Sequence, residues 1–175
     1  MGKRGIIITE HEHLLGKESP YSHILQFSCF AVFMSVWVLD SFVFKFSVKF
    51  AGYVPWFIRL VIALTLITIG VTIGYLAEKV LFHQKQDRPS VIDTGILAHV
   101  RHPLYLGGLL AYFGFVLGTF SILSLITYVF VFVVYDYLAT FEEKDLERVF
   151  GEDYAQYKRR VPKWIPRFLV IKNKE

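Results

Sequence analysis

LYLGGLLAYFGFVLGTFSILSLITYVFVFVVY, residues 104–135, is a run of 32 residues without a charge. A helix crossing a hydrocarbon core about 30 Å thick needs roughly 20 residues, so the run is too long for one crossing and suits two short ones. Gly118-Thr119-Phe120-Ser121, near its centre, is the natural place for a turn. The run therefore predicts a helical hairpin within a membrane, and the rest of the chain is read around it.

Two more apolar spans precede the hairpin. Ile24–Phe44 has 21 residues and one charge, Asp40; Trp56–Ala77 has 22 residues and one charge, Arg59. The chain as a whole is 54% hydrophobic and 17% aromatic, with a mean hydropathy of +0.46, more apolar than a soluble domain of 175 residues usually is. The expected fold is all-α: an integral membrane bundle of four transmembrane helices, at about 24–44, 54–78, 103–118 and 121–141, followed by an amphipathic C-terminal helical segment. The chain reads as one domain over 1–175, with a polar tail at 1–23, a first helix pair at 24–86 and a candidate site region at 87–168 that contains the hairpin. The tail has mixed charge and no small-residue cleavage site, so a cleaved signal peptide is not expected. Cys29 is the one cysteine, which excludes an internal disulfide.

The net charge of +4 and pI of about 9.1 gain meaning from position. Four crossings place both termini and the 78–103 loop on one side, which then carries 16 of the 19 Lys and Arg residues. The positive-inside rule puts that side in the cytoplasm, in a prokaryotic cell membrane or the endoplasmic reticulum. Anionic lipid headgroups account for such a basic juxtamembrane surface, and no nucleic-acid partner is expected. Glu10-His11-Glu12-His13 has neither HExxH spacing nor a third ligand nearby, so no metal site is read there. Gly70–Gly74 and Gly114–Gly118 are small-residue pairs that let helices approach closely, which fits packing inside one bundle.

Two segments on the expected cytoplasmic side carry the polar complexity. In the first, Asp93-Thr94-Gly95 is a turn signal and Pro103 suits the first turn of a helix. Arg101 and His102 then precede that helix, where free backbone N–H groups favour an anion; a basic interfacial anchor with a tyrosine at headgroup depth explains the same residues. In the second segment Glu142 and Glu143 stand where the last membrane helix emerges. Consecutive helical residues point about 100° apart, so at most one of the two aims squarely into a pocket. Leu146, Val149, Phe150, Tyr154, Tyr157 and Val161 continue as an apolar stripe at helical spacing, as an interfacial helix would. Asp40 and Asp136 lie at the ends of apolar spans, and carboxylates at depth are functional candidates.

Taken in order, Thr94-Gly95, Arg101-His102-Pro103-Leu104-Tyr105, Glu142-Glu143, Phe150-Gly151-Glu152-Asp153-Tyr154, Tyr157 and Arg160-Val161-Pro162 resemble the isoprenylcysteine carboxyl methyltransferase family, which is related to phospholipid methyltransferases. The resemblance covers about residues 88–168. It implies a membrane-embedded methyltransferase that uses S-adenosylmethionine and takes a lipophilic acceptor sideways from the bilayer. It implies further that Ser90, Val91, Ile92 and Leu97 line the cofactor pocket, Leu97 replacing an aromatic residue of relatives. His102, Pro103, Leu104 and Tyr105 would contact the cofactor, with Arg101 beside its carboxylate. Glu142 would hold the cofactor's polar end, with Glu143 next to it.

The acceptor side departs from the pattern. Relatives acting on prenylcysteine carry an arginine a few residues before the glutamate pair, where this chain has Leu138. The stretch Val134–Phe141 contains no arginine. The resemblance thus leaves a prenylcysteine-like carboxylate without its partner, and Leu138→Arg is expected to improve binding of such acceptors if the pocket is otherwise intact. Arg101 and Asp136 remain the catalytic candidates, Asp136 suiting an amine head. A phospholipid or amine N-methyltransferase, or a catalytically silent scaffold of the same fold, are the alternatives.

Overall fold

The computed structural model describes residues 22–83 and 90–166. The tail with Glu10-His11-Glu12-His13, and the basic positions 84–89 and 167–175, lie outside the described residues.

Among the described residues five α-helices follow one another: α1 (Ser22–Val38), α2 (Trp56–His83), α3 (Pro103–Thr119), α4 (Ile122–Phe150) and α5 (Glu152–Arg160). A π-helical turn, Leu39–Phe44, extends α1, and short 3-10 turns occupy Lys49–Tyr53 and Gly95–Ala98. Among the described residues there is no strand. Three helical spans, Ser22–Phe44, Trp56–Leu81 and Ile122–Phe150, are long and apolar enough to cross a membrane. The fourth apolar helix, Pro103–Thr119, has 17 residues, about 25 Å at 1.5 Å per residue. Exposed Phe27, Val71 and Phe130 are what lipid tails would cover, because a helix apolar on all sides has no water-facing stripe. The chain is an integral membrane protein.

The predicted hairpin is present. Phe120 takes a left-handed conformation (φ 52°) and donates its N–H to Val116 O at 2.8 Å. Ser121 then caps α4, its hydroxyl accepting from Ser124 N at 3.0 Å. A cap of this kind contributes roughly 1 kcal/mol. Beneath the turn lies Asp40, 3% exposed. Its carboxylate accepts from Ser47 N at 3.0 Å, from the Ser47 hydroxyl, and from the Ser121 hydroxyl at 2.5 Å. A carboxylate this buried persists because its lone pairs are met. Asp40 is thereby a clamp tying the end of α1 to the α3–α4 turn, and Arg59 adds a second tie by donating to Gly118 O at 3.2 Å.

α2 and α3 form the closest helix pair. A Cβ on Gly107 would stand 2.5 Å from Gly70 O, and one on Gly70 would strike Gly107 O. Only glycine at both positions permits this approach. The glycine pairs read from the sequence therefore serve packing within the bundle, although the true contact joins Gly70 to Gly107.

α1, α3 and α4 enclose the main core: Cys29, Phe33, Tyr105, Leu109, Tyr112, Val116, Val131, Tyr135, Leu138 and Ala139. A second cluster of Tyr154, Tyr157 and Val161, with Val91, Leu146 and Phe150 against it, seats α5 on the far end of α4. Gly151 (φ 56°) makes the break between those two helices. The site lies between the two clusters.

Candidate functional site

The α3 start and the emerging end of α4 meet, bringing Arg101, His102, Tyr105, Glu142 and Glu143 together. Pro103 sets the first turn of α3, and His102, as its N-cap, makes no side-chain cap. Its imidazole is turned instead between the two glutamates. Nε2 lies 3.0 Å from Glu143 Oε1 and Nδ1 lies 3.7 Å from Glu142 Oε2. Both carboxylates thus face one ring, more than the helical angle between neighbours led us to expect.

The two glutamates have different surroundings. Glu143 is buried, its side chain 5% exposed, with Arg101 Nε at 3.2 Å and Lys158 Nζ at 3.4 Å. Glu142 is more open, its side chain 25% exposed, and one oxygen accepts from the Tyr105 hydroxyl. Glu143 is therefore held by the chain's own cations, and Glu142 is the more exposed of the two carboxylates. Arg101 is held from two directions: its backbone N–H donates to Pro162 O at 3.0 Å and its Nη1 to Lys158 O at 3.1 Å. Its Nε is buried and angled off Glu143, close enough for an ion pair but without a hydrogen bond.

α5 and the segment after it close this arrangement, where the sequence reading expected an amphipathic helix lying at the membrane interface. Lys158 reaches back to Glu147 at 2.8 Å. That hydrogen bond holds its ammonium above the usual lysine range, against the desolvation that opposes it, and Glu143 adds to the effect. Burial likewise pushes the Tyr157 phenol up, so it stays a donor, reaching Leu97 O at 2.7 Å. Beyond Pro162 the chain folds back across α4. Lys163 Nζ donates to Asp136 Oδ1 at 2.6 Å, Asp136 O at 3.0 Å and Thr140 Oγ1 at 2.8 Å. The Trp164 indole donates to the same Asp136 oxygen at 2.9 Å and packs near the His102 ring, with centroids 6.1 Å apart.

Of the residues expected to hold a cofactor, Arg101, His102, Tyr105, Glu142 and Glu143 converge, and Pro103 is buried at the start of α3. Leu104 is half exposed. Val91 packs in the α5 cluster, Leu97 is buried with its carbonyl bound by Tyr157, Ile92 is half-buried and Ser90 exposed. Asp136, read as a partner for an amine acceptor, has its carboxylate on Lys163 and Trp164. Lys163 and Trp164 themselves were not singled out. Pro162 and Pro166 bracket them, and prolines that stop a helix twice within five residues are the signal of a chain turning back.

Residues 47–153 match the phospholipid methyltransferase family. Three curated relatives are similar over parts of the chain. A protein-S-isoprenylcysteine O-methyltransferase from Schizosaccharomyces pombe is 37% identical over 81 residues, which are 43% of this chain and 33% of the relative. Methanethiol S-methyltransferase 1 from Bradyrhizobium diazoefficiens is 35% identical over 85 residues, 47% of this chain and 28% of that protein. A methanethiol S-methyltransferase from Crocosphaera subtropica is 33% identical over 88 residues, 49% of this chain and 33% of the relative. The matches thus span about a third of the length of these relatives. No solved structure matches the chain significantly. The match over residues 47–153 is more than half of the chain and contains the α3 start and the glutamate pair, and on that ground the chain belongs to the phospholipid methyltransferase family.

Proposed function

We propose that the protein is a membrane-embedded methyltransferase that uses S-adenosylmethionine at the mouth formed by α3 and α4. The observation that carries this reading is the donor set there. A buried guanidinium paired with Glu143, a helix start without a side-chain cap and a carboxylate whose side chain is 25% exposed come together there. The set fits the donor's charged groups: Arg101 and the first turn of α3 suit its carboxylate, and Glu142 suits its ammonium or ribose diol. When bound, S-adenosylmethionine supplies a methyl group made electrophilic by a sulfonium. His102 is kept in place by Glu143, and Trp164 excludes water from one side of its ring. The chain's contribution is positioning and desolvation of the attacking atom. A thiol or ammonium acceptor has first to lose a proton, which a carboxylate does not.

The acceptor is lipophilic. The chain has no cation on the 121–141 stretch, and all three donor hydrogens of Lys163 are used by Asp136 and Thr140, so a prenylcysteine carboxylate lacks a bidentate partner. Two of the relatives are named for methylating a thiol, and an uncharged thiol places no such demand on the site. α1 to α4 make four crossings, with both ends of the chain and the α2–α3 loop in the cytoplasm, next to the donor. That topology is tested by labelling single cysteines placed at Lys17, Lys49, Asp93 and Arg159. Lys49 is expected to label from the outside and the other three from within; labelling of Asp93 and Arg159 from opposite faces would exclude the hairpin topology.

Calorimetric titration of the purified protein with S-adenosylhomocysteine is expected to show one site per chain. Glu142→Ala should weaken that binding by about 1–3 kcal/mol, the range for a lost hydrogen bond to a charged group, while leaving the unfolding temperature nearly unchanged. Absence of heat at millimolar ligand from folded protein would favour the silent scaffold. A radiolabelled methyl-transfer assay on a small thiol, a prenylcysteine mimic and extracted lipid then separates the acceptors.

A further inference from the structure

Gln26 lies on α1, outside the segment that matches the family. It is half-buried, and its amide Nε2 donates to the Tyr105 hydroxyl at 3.3 Å. Tyr105 in turn donates to Glu142 Oε1. Three helices are joined by these two bonds: α1, α3 and α4.

The direction of the chain is fixed by its ends. An ionised carboxylate accepts only, so the single Tyr105 hydrogen must go to Glu142. The Tyr105 oxygen is then left as an acceptor, and of the two ends of the Gln26 amide only the NH2 group satisfies it. Bonds in such a series polarise one another, so the amide strengthens the grip of Tyr105 on Glu142. The oxygen held by Tyr105 faces the bundle, and the other oxygen of the same carboxylate lies on the His102 side. One carboxylate rotamer is thus specified from α1, two side chains away.

We propose that Gln26 is a positioning residue that acts through Tyr105 to present Glu142 to the methyl donor. The inference rests on the reading of Glu142 as a donor-binding group. It gives α1, which carries none of the family's motifs, a part in the site.

The test is calorimetry with S-adenosylhomocysteine on the full chain in detergent. It compares the unmodified protein with Gln26→Leu, Gln26→Glu, Tyr105→Phe, and Tyr105→Phe combined with Gln26→Leu. Gln26→Glu is decisive because it keeps the shape of the side chain, removes its donor and competes for the Tyr105 hydrogen. Both Gln26 variants are expected to weaken binding by about three- to tenfold, as for one net hydrogen bond. In the Tyr105→Phe background Gln26→Leu should cause no further loss. Gln26→Glu binding like the unmodified protein would overturn the proposal. So would an equal loss from Gln26→Leu with and without the Tyr105 hydroxyl, since that is the mark of packing. Should Gln26→Leu fail to fold, the isosteric Gln26→Glu carries the comparison alone. Absence of binding by the unmodified protein would sink the donor reading and this inference together, whereas binding that ignores Gln26→Glu sinks this inference alone.

Discussion

Glu143→Ala is expected to destabilise the protein by about 3–5 kcal/mol, the cost of leaving a buried charge without its partner. The loss should appear as a large drop in the thermal unfolding midpoint in detergent and as failure to bind S-adenosylhomocysteine. The cause is local. Arg101 Nε and His102 Nε2 both stand against Glu143, and their side chains are 10% and 6% exposed. Without the carboxylate a guanidinium and an imidazole share a dry space, and Lys158 loses one of its two acidic neighbours. Glu143→Gln keeps the shape and an acceptor oxygen, so it should recover part of the stability. Adjacent Glu142→Ala should show the reverse pattern, losing ligand affinity and keeping the fold. If both substitutions lowered stability equally, the division of labour between the two carboxylates would be wrong.

Leu138→Arg is the second large effect, and here the structure reverses the expectation drawn from the sequence. Matching Leu138 to the arginine of prenylcysteine-methylating relatives made the substitution look like a restored acceptor site. Leu138 is 5% exposed and packed in the core with Cys29, Phe33, Tyr105 and Tyr135. A guanidinium there displaces a packed side chain, and the carboxylate one helical turn away, Glu142, already accepts from the Tyr105 hydroxyl. Loss of a buried leucine alone costs about 2–5 kcal/mol, and a charge within an apolar helix adds roughly 3 kcal/mol on insertion scales. The variant should accumulate poorly in membranes and elute as aggregate, with no gain in affinity for carboxylate acceptors. A well-folded Leu138→Arg protein that binds a farnesylcysteine mimic would show that the core opens to that position.

The hairpin, the two earlier spans and the glutamate mouth were legible because each is written in a local pattern. A charge-free run with a Gly-Thr-Phe-Ser centre admits few structures, and a proline after Arg101-His102 fixes where α3 starts. What escaped were partnerships over long sequence distance. Nothing near Asp136 announces Lys163, and nothing near Asp40 announces Ser121; each carboxylate read as a functional candidate and proved to be met by its own chain. Gln26 was hidden for a related reason. A count of charges along Ile24–Phe44 passes over a neutral amide, whose importance comes only from the phenol opposite it. The difference between Glu142 and Glu143 was also beyond local reading, because burial by α5 decides it.

The return of Lys163 to Asp136 also bears on how the protein is made. The two residues are 27 positions apart, and Asp136 belongs to the last long apolar helix. When Asp136 leaves the ribosome and reaches the membrane, Lys163 and Trp164, so few residues behind it, are still held inside the exit tunnel. During that interval the carboxylate has neither of the partners that hold it in the finished protein, and the wall beside His102 does not exist. Insertion of the helices and completion of the site are therefore separate events in the life of the chain. The second must await emergence of Lys163 and Trp164 from the ribosome, so a chain stalled before that point can have Asp136 in the membrane and still have no finished site.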